Sequence, residues 1–180
     1  RFEWRSTPIA LSTAFHPLDG GCRVCGDGFS RLFGFAGSLM TQIHRATFGD
    51  LSTEQLYDVL KLRVNVFVVE QRCPYPEIDD LDRLANHYWI NDGKGIASYL
   101  RTIQEVEGLR IGRVVTRYDA RSQGYSGQLI SHVVQSSDGP WTLSAQAYLR
   151  DWYSELGFIP VGPEFLEDDI PHIPMRRDKS

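Results

Sequence analysis

The sequence has little cysteine: Cys22, Cys25 and Cys73 are its only thiols in 180 residues. Three thiols do not make a disulfide framework in a chain this long. A reducing, cytoplasmic location is the simplest expectation. Long apolar runs are missing too, and nothing approaches the roughly 20 residues that a membrane span needs. Charge of one sign is also lacking. Lys and Arg total 19 against 23 Asp and Glu, for a net charge of −4. With no dominant basic block, nucleic acid is not the expected partner. No His, Cys, Asp or Glu spacing looks like a catalytic metal site. Cys22-Arg-Val-Cys25 has zinc or redox spacing, but no second pair follows and the nearest histidine, His16, precedes it. Two incidental thiols are the simpler reading.

What is present is ordinary for a globular chain: 42% hydrophobic and 23% charged residues, in a length that favours one domain with a substantial core. Residues 1–39 differ in character. They are rich in Gly, Ser, Arg and Phe, carry turn signals at Pro8, Pro17, Gly20-Gly21 and Gly26-Asp27-Gly28, and keep no helical or strand period. Ile9-Ala10-Leu11 is too short for a secretory apolar region. Arg1, Arg5, Arg23 and Arg31 suit a transit peptide, whereas Glu3, Asp19 and Asp27 count against one. We read 1–39 as an extension and 40–180 as the folded domain, with its natural start close to Met40.

The domain opens on a strand pattern, Thr41 to Ala46. Ser52-Thr53-Glu54-Gln55 then has the form of a capping box. The helix behind it carries Leu56, Val59, Leu60, Arg63 and Phe67 on one stripe. Arg63 is the odd member. It reads either as a cation at the edge of the core, paired or snorkelling, or as one wall of a pocket mouth with Glu70. Prolines 74 and 76 stop the helix. The loop beyond carries Glu77, Asp79, Asp80 and Asp82, either a solvated cluster or an acidic rim for a cationic amine. Asn86–Asn91 and Gly95–Ile103 read as antiparallel strands joined at Asp92-Gly93-Lys94. Leu109–Thr116 is a further strand, Trp141–Ala147 another, and Leu149 to Leu156 a short amphipathic helix closed by Gly157.

The chain is organised around Arg121-Ser122-Gln123-Gly124-Tyr125-Ser126, between the Leu109–Thr116 strand and a predicted helix over Gly127–Gln135. Ser126, Leu129, Ile130, Val133 and Val134 mark one face of that helix. The first turn of a helix leaves N–H groups unpaired and carries partial positive charge. A phosphate can sit there, and Gly124, lacking Cβ, lets the main chain approach it. The plain alternative is an ordinary strand-to-helix turn with a surface arginine.

Arg-x-x-Gly-x-Ser resembles the Gln/Arg-x-x-Gly-x-Gly/Ala signature of the GNAT acetyltransferases, with Ser126 where Gly or Ala is usual. Leu62-Arg63-x-x-Val66-Phe67-Val68-Val69-Glu70-Gln71, followed by Cys73-Pro74-Tyr75-Pro76-Glu77-Ile78-Asp79, resembles the ElaA-like branch of that superfamily. Ile111-Gly112-Arg113-Val114, Tyr153-x-x-x-Gly157-Phe158 and Ile170-Pro171-His172 to Met175 add to the likeness. It extends over about 40–177. A shorter echo, Arg-x-x-Val-Phe-x-x-Glu, also occurs in acyl-homoserine-lactone synthases.

This resemblance implies an α/β (α+β) fold, a mixed and mostly antiparallel sheet of six or seven strands flanked by helices, splayed at its centre to admit acetyl-CoA. It implies acetyl transfer to a primary amine, with acetyl-CoA as co-substrate and no metal. Val114, Val115 and Thr116 would hold the pantetheine arm through their main chain, and residues 121–126 (Arg121, Ser122, Gln123, Gly124, Tyr125, Ser126) the pyrophosphate. The Val114 N–H would face the oxyanion, and Tyr153 would protonate the leaving thiolate, unless it is simply a core aromatic. Glu70, Glu77 and His172 are alternatives for the base, and Arg63 and Asp79 are candidates on the acceptor side. Another acyltransferase of this fold and a non-catalytic acetyl-CoA-binding module are the rival readings. A homodimer is left open.

Overall fold

The computed structural model describes residues 41–179. The extension, Cys22, Cys25 and the expected start at Met40 lie outside them. The first strand, β1 (Ile43–Thr47), pairs antiparallel with β2 (Asn86–Asn91), which pairs with β3 (Ile96–Glu105), which in turn pairs with β4 (Gly108–Thr116). The order continues through β5 (Trp141–Gln146) to β8 (Ile170–Arg177), with β6 (Ile159–Pro160) and β7 (Phe165–Glu167) both on β8. Among the described residues, only β4 and β5 run parallel.

This makes an eight-stranded sheet rather than one of six or seven. The added strands are short and come from the C-terminal segment. There, β7 and β8 form a hairpin turned at Asp168 and Asp169, whose φ values are 50° and 63°. Aspartate tolerates that left-handed backbone better than most residues, so nothing as obvious as an Asn-Gly pair marks the turn.

Alternation along the strands sorts side chains to two faces. Tyr88, Ile90, Leu100 and Ile111 pack with α2 (Tyr125–Ser136) and α3 (Arg150–Glu155). Trp89, Tyr99 and Val115 pack with α1 (Thr53–Arg63). The capping box forms as expected: Gln55 N–H donates to Ser52 Oγ at 3.1 Å, and Ser52 N–H to Gln55 Oε1 at 2.9 Å.

The helix does not end at Arg63. It widens into a π-helical segment, Val64–Glu70, in which Gln71 N–H reaches back to the Val66 carbonyl at 3.0 Å. The wider turn rotates the inward face, so Val59, Leu62, Arg63 and Val66 are buried while Leu60 and Phe67 are only partly so. Such segments are rare, and they favour functional sites. Here it delivers Glu70 and Gln71 to the same end of the sheet as the Arg121 loop. No helix among the described residues is long and apolar enough to cross a membrane.

Candidate active site

The sheet is split at its centre. β4 and β5 pair at Leu109–Trp141 and Arg110–Thr142 and nowhere else. Beyond that, Ile111 to Thr116 and Leu143 to Gln146 run on without bonding to each other. The cause lies on the other side of β4. Tyr99 pairs with Val115, but Arg101 pairs with Gly112, so Leu100 alone opposes Arg113 and Val114. That is a β-bulge, and a bulge bends its strand. Arg113 takes φ 53°, the left-handed conformation usually left to glycine.

At the open end of the split lies the Arg121 loop. Gly124 caps α2 at φ 74°, and Ser122 also takes a left-handed φ of 62°. Ser122, Gln123 and Gly124 are exposed. Among the described residues, a Cβ on Gly124 would meet only Gln128 Nε2, at 3.9 Å. Left-handed turns of this kind leading into a helix can make anion-binding concavities.

Ser126 does not point into that space. Its hydroxyl lies 2.6 Å from Thr116 Oγ1 and 3.2 Å from Ser98 Oγ, and Ser98 Oγ donates to the Val115 carbonyl at 3.0 Å. The unusual serine thus ties the first turn of α2 to β3 and β4. Arg121 reaches across to the π-helical segment, where Nη1 and Nη2 contact the Glu70 oxygens at 2.7 and 2.8 Å. Both Glu70 oxygens are therefore engaged, and the loop's positive charge is already balanced. Tyr125 packs against the main core.

Tyr153, on α3, is 5% exposed and meets Trp152 and Phe158 edge-on. Its hydroxyl has no hydrogen-bond partner among the described residues. Burial, with a smaller contribution from Tyr148, raises its pKa well above the ordinary tyrosine value. The phenol is therefore protonated at neutral pH.

His172 lies on β8, opposite Gln146 of β5. Its Nδ1 is 2.8 Å from the Ile170 carbonyl. That bond requires a proton on Nδ1, which leaves the lone pair of the neutral ring on Nε2. Gln146 Nε2 donates to Gln71 Oε1 at 3.2 Å, which joins the end of β5 to the end of the π-helical segment.

Arg63, Glu77 and Asp79 are elsewhere, in a network of ion pairs. Arg63 is fully buried. Its Nε and Nη2 hold Glu77 at 2.7 Å each, and its Nη1 holds Asp82 at 2.6 Å. Arg101 binds Asp79 and Asp82, both at no more than 2.7 Å. Arg113 binds Glu77 at 3.0 Å and Asp79 at 3.1 Å. Glu77, Asp79 and Asp82 are thus neither simply solvated nor left unpaired, the two states in which the loop's composition could be read. Three guanidiniums, from α1, β3 and β4, consume the carboxylates of Glu77, Asp79 and Asp82, while Asp80 is exposed and lies 3.7 Å from Arg83. Asp82 and Arg101 carry no motif, and sequence reasoning missed their part in this network. An arginine in a buried strand, Arg101 in Tyr99–Ile103, was the available signal.

Burial works against the Asp79 carboxylate, but Arg101 and then Arg113 outweigh it and hold its pKa down to about 2. Asp82 is lowered in the same way, by Arg63 and Arg101 against burial. A carboxylate with a depressed folded-state pKa stabilises the fold above its unfolded value and loses that contribution as pH falls through the folded value. Stability should therefore fall between about pH 4 and pH 2. The urea midpoint at pH 3 should lie clearly below that at pH 6, and Asp79→Asn should shrink the difference; an equal difference in the variant would remove Asp79 from the account.

An open concavity of about 430 Å³, lined by Ser137, Asp138, Trp141, Arg177 and Lys179 among others, lies at the opposite, C-terminal end of α2. It takes no part in this site. Among the described residues, no group of His, Cys, Asp and Glu side chains is placed to hold a metal ion.

A mixed sheet split between two parallel central strands, with a glycine-capped helix N-terminus at the split, is the acyl-CoA N-acyltransferase fold. Residues 50–179 match the acetyltransferase (GNAT) domain family, and the chain belongs to that family. It is 45% identical over 150 residues to a UPF0039 protein of Mycobacterium tuberculosis, which spans 78% of this chain and 96% of that relative. It is 40% identical over 139 residues to protein ElaA of Escherichia coli, spanning 72% of this chain and 91% of ElaA. The ElaA-like branch is thereby shown.

Among solved structures, an acyl-CoA N-acyltransferase from Pseudomonas aeruginosa superposes with a TM-score of 0.72 at 41% identity, over 76% of this chain and 99% of that one. The crystal structure of Escherichia coli ElaA also gives 0.72, at 36% identity, over 77% of this chain and all of that one. An acyl-homoserine-lactone synthase, BjaI, shares the fold with a TM-score of 0.64 at 17% identity, over 76% of this chain and 82% of that one.

Proposed function

We propose that this protein is an acetyl-CoA-dependent N-acetyltransferase that moves the acetyl group directly onto a primary amine. The observation that carries this reading is the split between β4 and β5, with the bulge at Arg113–Val114 on one side and the open Gly124 cap at its end. The main chain of Val114, Val115 and Thr116 borders the opened strand edge and is our candidate for the pantetheine arm. Main-chain N–H groups of residues 122–126 are our candidates for the pyrophosphate, with Arg121 exchangeable from Glu70.

In this mechanism the amine nitrogen forms a bond to the thioester carbon, and the carbonyl oxygen becomes an oxyanion that accepts from the Val114 N–H. The attached nitrogen gives up its surplus proton to solvent, the tetrahedral centre collapses to the amide carbonyl, and the C–S bond breaks. Tyr153 gives its proton to the departing thiolate. An alkyl ammonium has a pKa of about 10.4 and must shed a proton before attack. His172 Nε2 suits that step better than the carboxylates, because Glu77 is consumed by Arg63 and Arg113 and Glu70 by Arg121. Arg63 and Asp79 are reassigned from acceptor binding to holding the 77–82 loop. Cys73 is a poor nucleophile, since burial together with Asp168 and Asp169 pushes its thiol up. That favours direct transfer over an acyl-enzyme.

Free-thiol release from acetyl-CoA, measured against a panel of small amines, peptides and lysine-containing proteins, tests the reading. Amine-dependent release with acetylated product is the expected result. Tight acetyl-CoA binding without release for any acceptor would instead favour a binding module, and preference for a longer acyl donor would favour a synthase-like reaction.

A further inference from the structure

Arg113 occupies the one position in the split where a large side chain takes a backbone conformation that glycine normally supplies. It is the first of the two bulged residues opposite Leu100, at φ 53°. In bulges with a left-handed first residue, that residue is usually glycine. A strained non-glycine residue persists only where its surroundings over-determine it. Here they do. The guanidinium is held by Glu77 Oε2 at 3.0 Å, by Asp79 Oδ2 at 3.1 Å and by the Glu77 carbonyl at 3.4 Å, and it lies 5.6 Å from the centre of the Tyr75 ring.

The anchors are themselves fixed. Glu77 is 4% exposed and gripped by Arg63, and Asp79 is gripped by Arg101. The chain from α1 through the 77–82 loop to the bulge is thus one rigid set of ion pairs. Its last member sits next to Val114 in sequence.

We infer that Arg113 is a positioning residue: the buried ion-pair network clamps its side chain, the clamp holds the left-handed bulge, and the bulge aims the Val114 N–H into the split. This rests on the proposed role of that N–H in transfer. It gives the Arg63, Glu77 and Asp79 cluster a function other than acceptor binding. Arg113 acts through the main chain and touches no reacting atom.

A glycine rescue tests it. Arg113→Ala removes the clamp and leaves a residue that disfavours the left-handed region, so the bulge should relax. Turnover should fall about five- to thirtyfold, the range that a left-handed alanine's penalty corresponds to. Arg113→Gly removes the same ion pairs but adopts the bulge conformation freely, so it should keep most of the wild-type kcat. Glu77 and Asp79 retain Arg63 and Arg101 in both variants, so neither carboxylate is left alone. KM for acetyl-CoA should change little in either.

A second readout does not depend on turnover. The Val114 amide resonance of ¹⁵N-labelled protein should move in Arg113→Ala and stay near its wild-type position in Arg113→Gly. Equal loss of kcat in both variants, or a Val114 resonance that ignores the alanine change, would overturn the inference. If the wild-type protein transfers to no amine at all, the proposed function fails, and the Val114 resonance alone decides the clamp. If Arg113→Ala does not fold, Arg113→Gln takes its place, since it too loses the ion pairs and disfavours the left-handed backbone: lower turnover in Arg113→Gln than in Arg113→Gly supports the clamp, and equal turnover in the two overturns it.

Discussion

Gly124→Glu is expected to abolish acetyl-CoA binding, raising Kd by at least about a hundredfold, or roughly 2.8 kcal/mol. Two effects act together. An exposed helix N-terminus favours a carboxylate by about 0.3–1 kcal/mol, so the new side chain would satisfy the N–H groups that the pyrophosphate needs. It would also repel what it failed to displace. Packing is not the cause, because a Cβ at this position meets nothing closer than Gln128 Nε2 at 3.9 Å. The φ of 74° adds a stability cost for any L-residue, about 1–2 kcal/mol, which should lower the melting temperature by about 2–8 °C in a chain of this size. Gly124→Ala separates the two effects. It should show the same loss of melting temperature but retain most of the affinity, since it brings no charge. Calorimetric titration with acetyl-CoA reads both variants. Unchanged affinity in the glutamate variant would refute the assignment of this loop.

Tyr153→Phe is expected to lower kcat by about a hundredfold, the lower end of what a positioned general acid contributes, while acetyl-CoA binds as before. The substitution is mild for the fold. It conserves ring volume, and the lost hydroxyl leaves no orphan, because Tyr153 bonds to no other side chain among the described residues. A loss of turnover would therefore report chemistry rather than packing. The raised pKa sets the sign of the pH dependence: the phenol keeps its proton through neutrality and beyond its usual value of about 10. A loss of wild-type activity on the alkaline side near pH 8 would have to come from another group. Equal losses in kcat and in acetyl-CoA affinity would count against the acid role.

The capping box at Ser52, the β2–β3 hairpin and the amphipathic α2 were legible because each depends on residues within one or two turns of each other. The strand expected at Asn86–Asn91 forms over those residues, and the Leu109–Thr116 strand gains only Gly108. The glycine cap of α2 at Gly124 was legible for the same reason, since a glycine before an apolar-striped helix is a local signal. The π-helical segment after Arg63 was not, because its wider turn is selected by the packing of Val66 and by what Glu70 meets, not by a period in the sequence. The meaning of Ser126 was equally hidden: a small residue in the first turn of a helix could face solvent or the sheet, and Thr116 and Ser98 decide for the sheet.

By itself, then, the sequence determined the longer helices and strands to within about two residues and which superfamily the motifs resemble, because capping, alternation and glycine placement act over short range. Only the tertiary structure decided the partners of the charges. Arg63, Arg101 and Arg113 lie on three different elements, and Glu77, Asp79 and Asp82 on a loop that any of them, or solvent, could have satisfied. Buried charges must be paired, but pairing carries no sequence period. It is settled where chain segments meet, and there it turns an apparent acceptor rim into the clamp on the strand that opens the site.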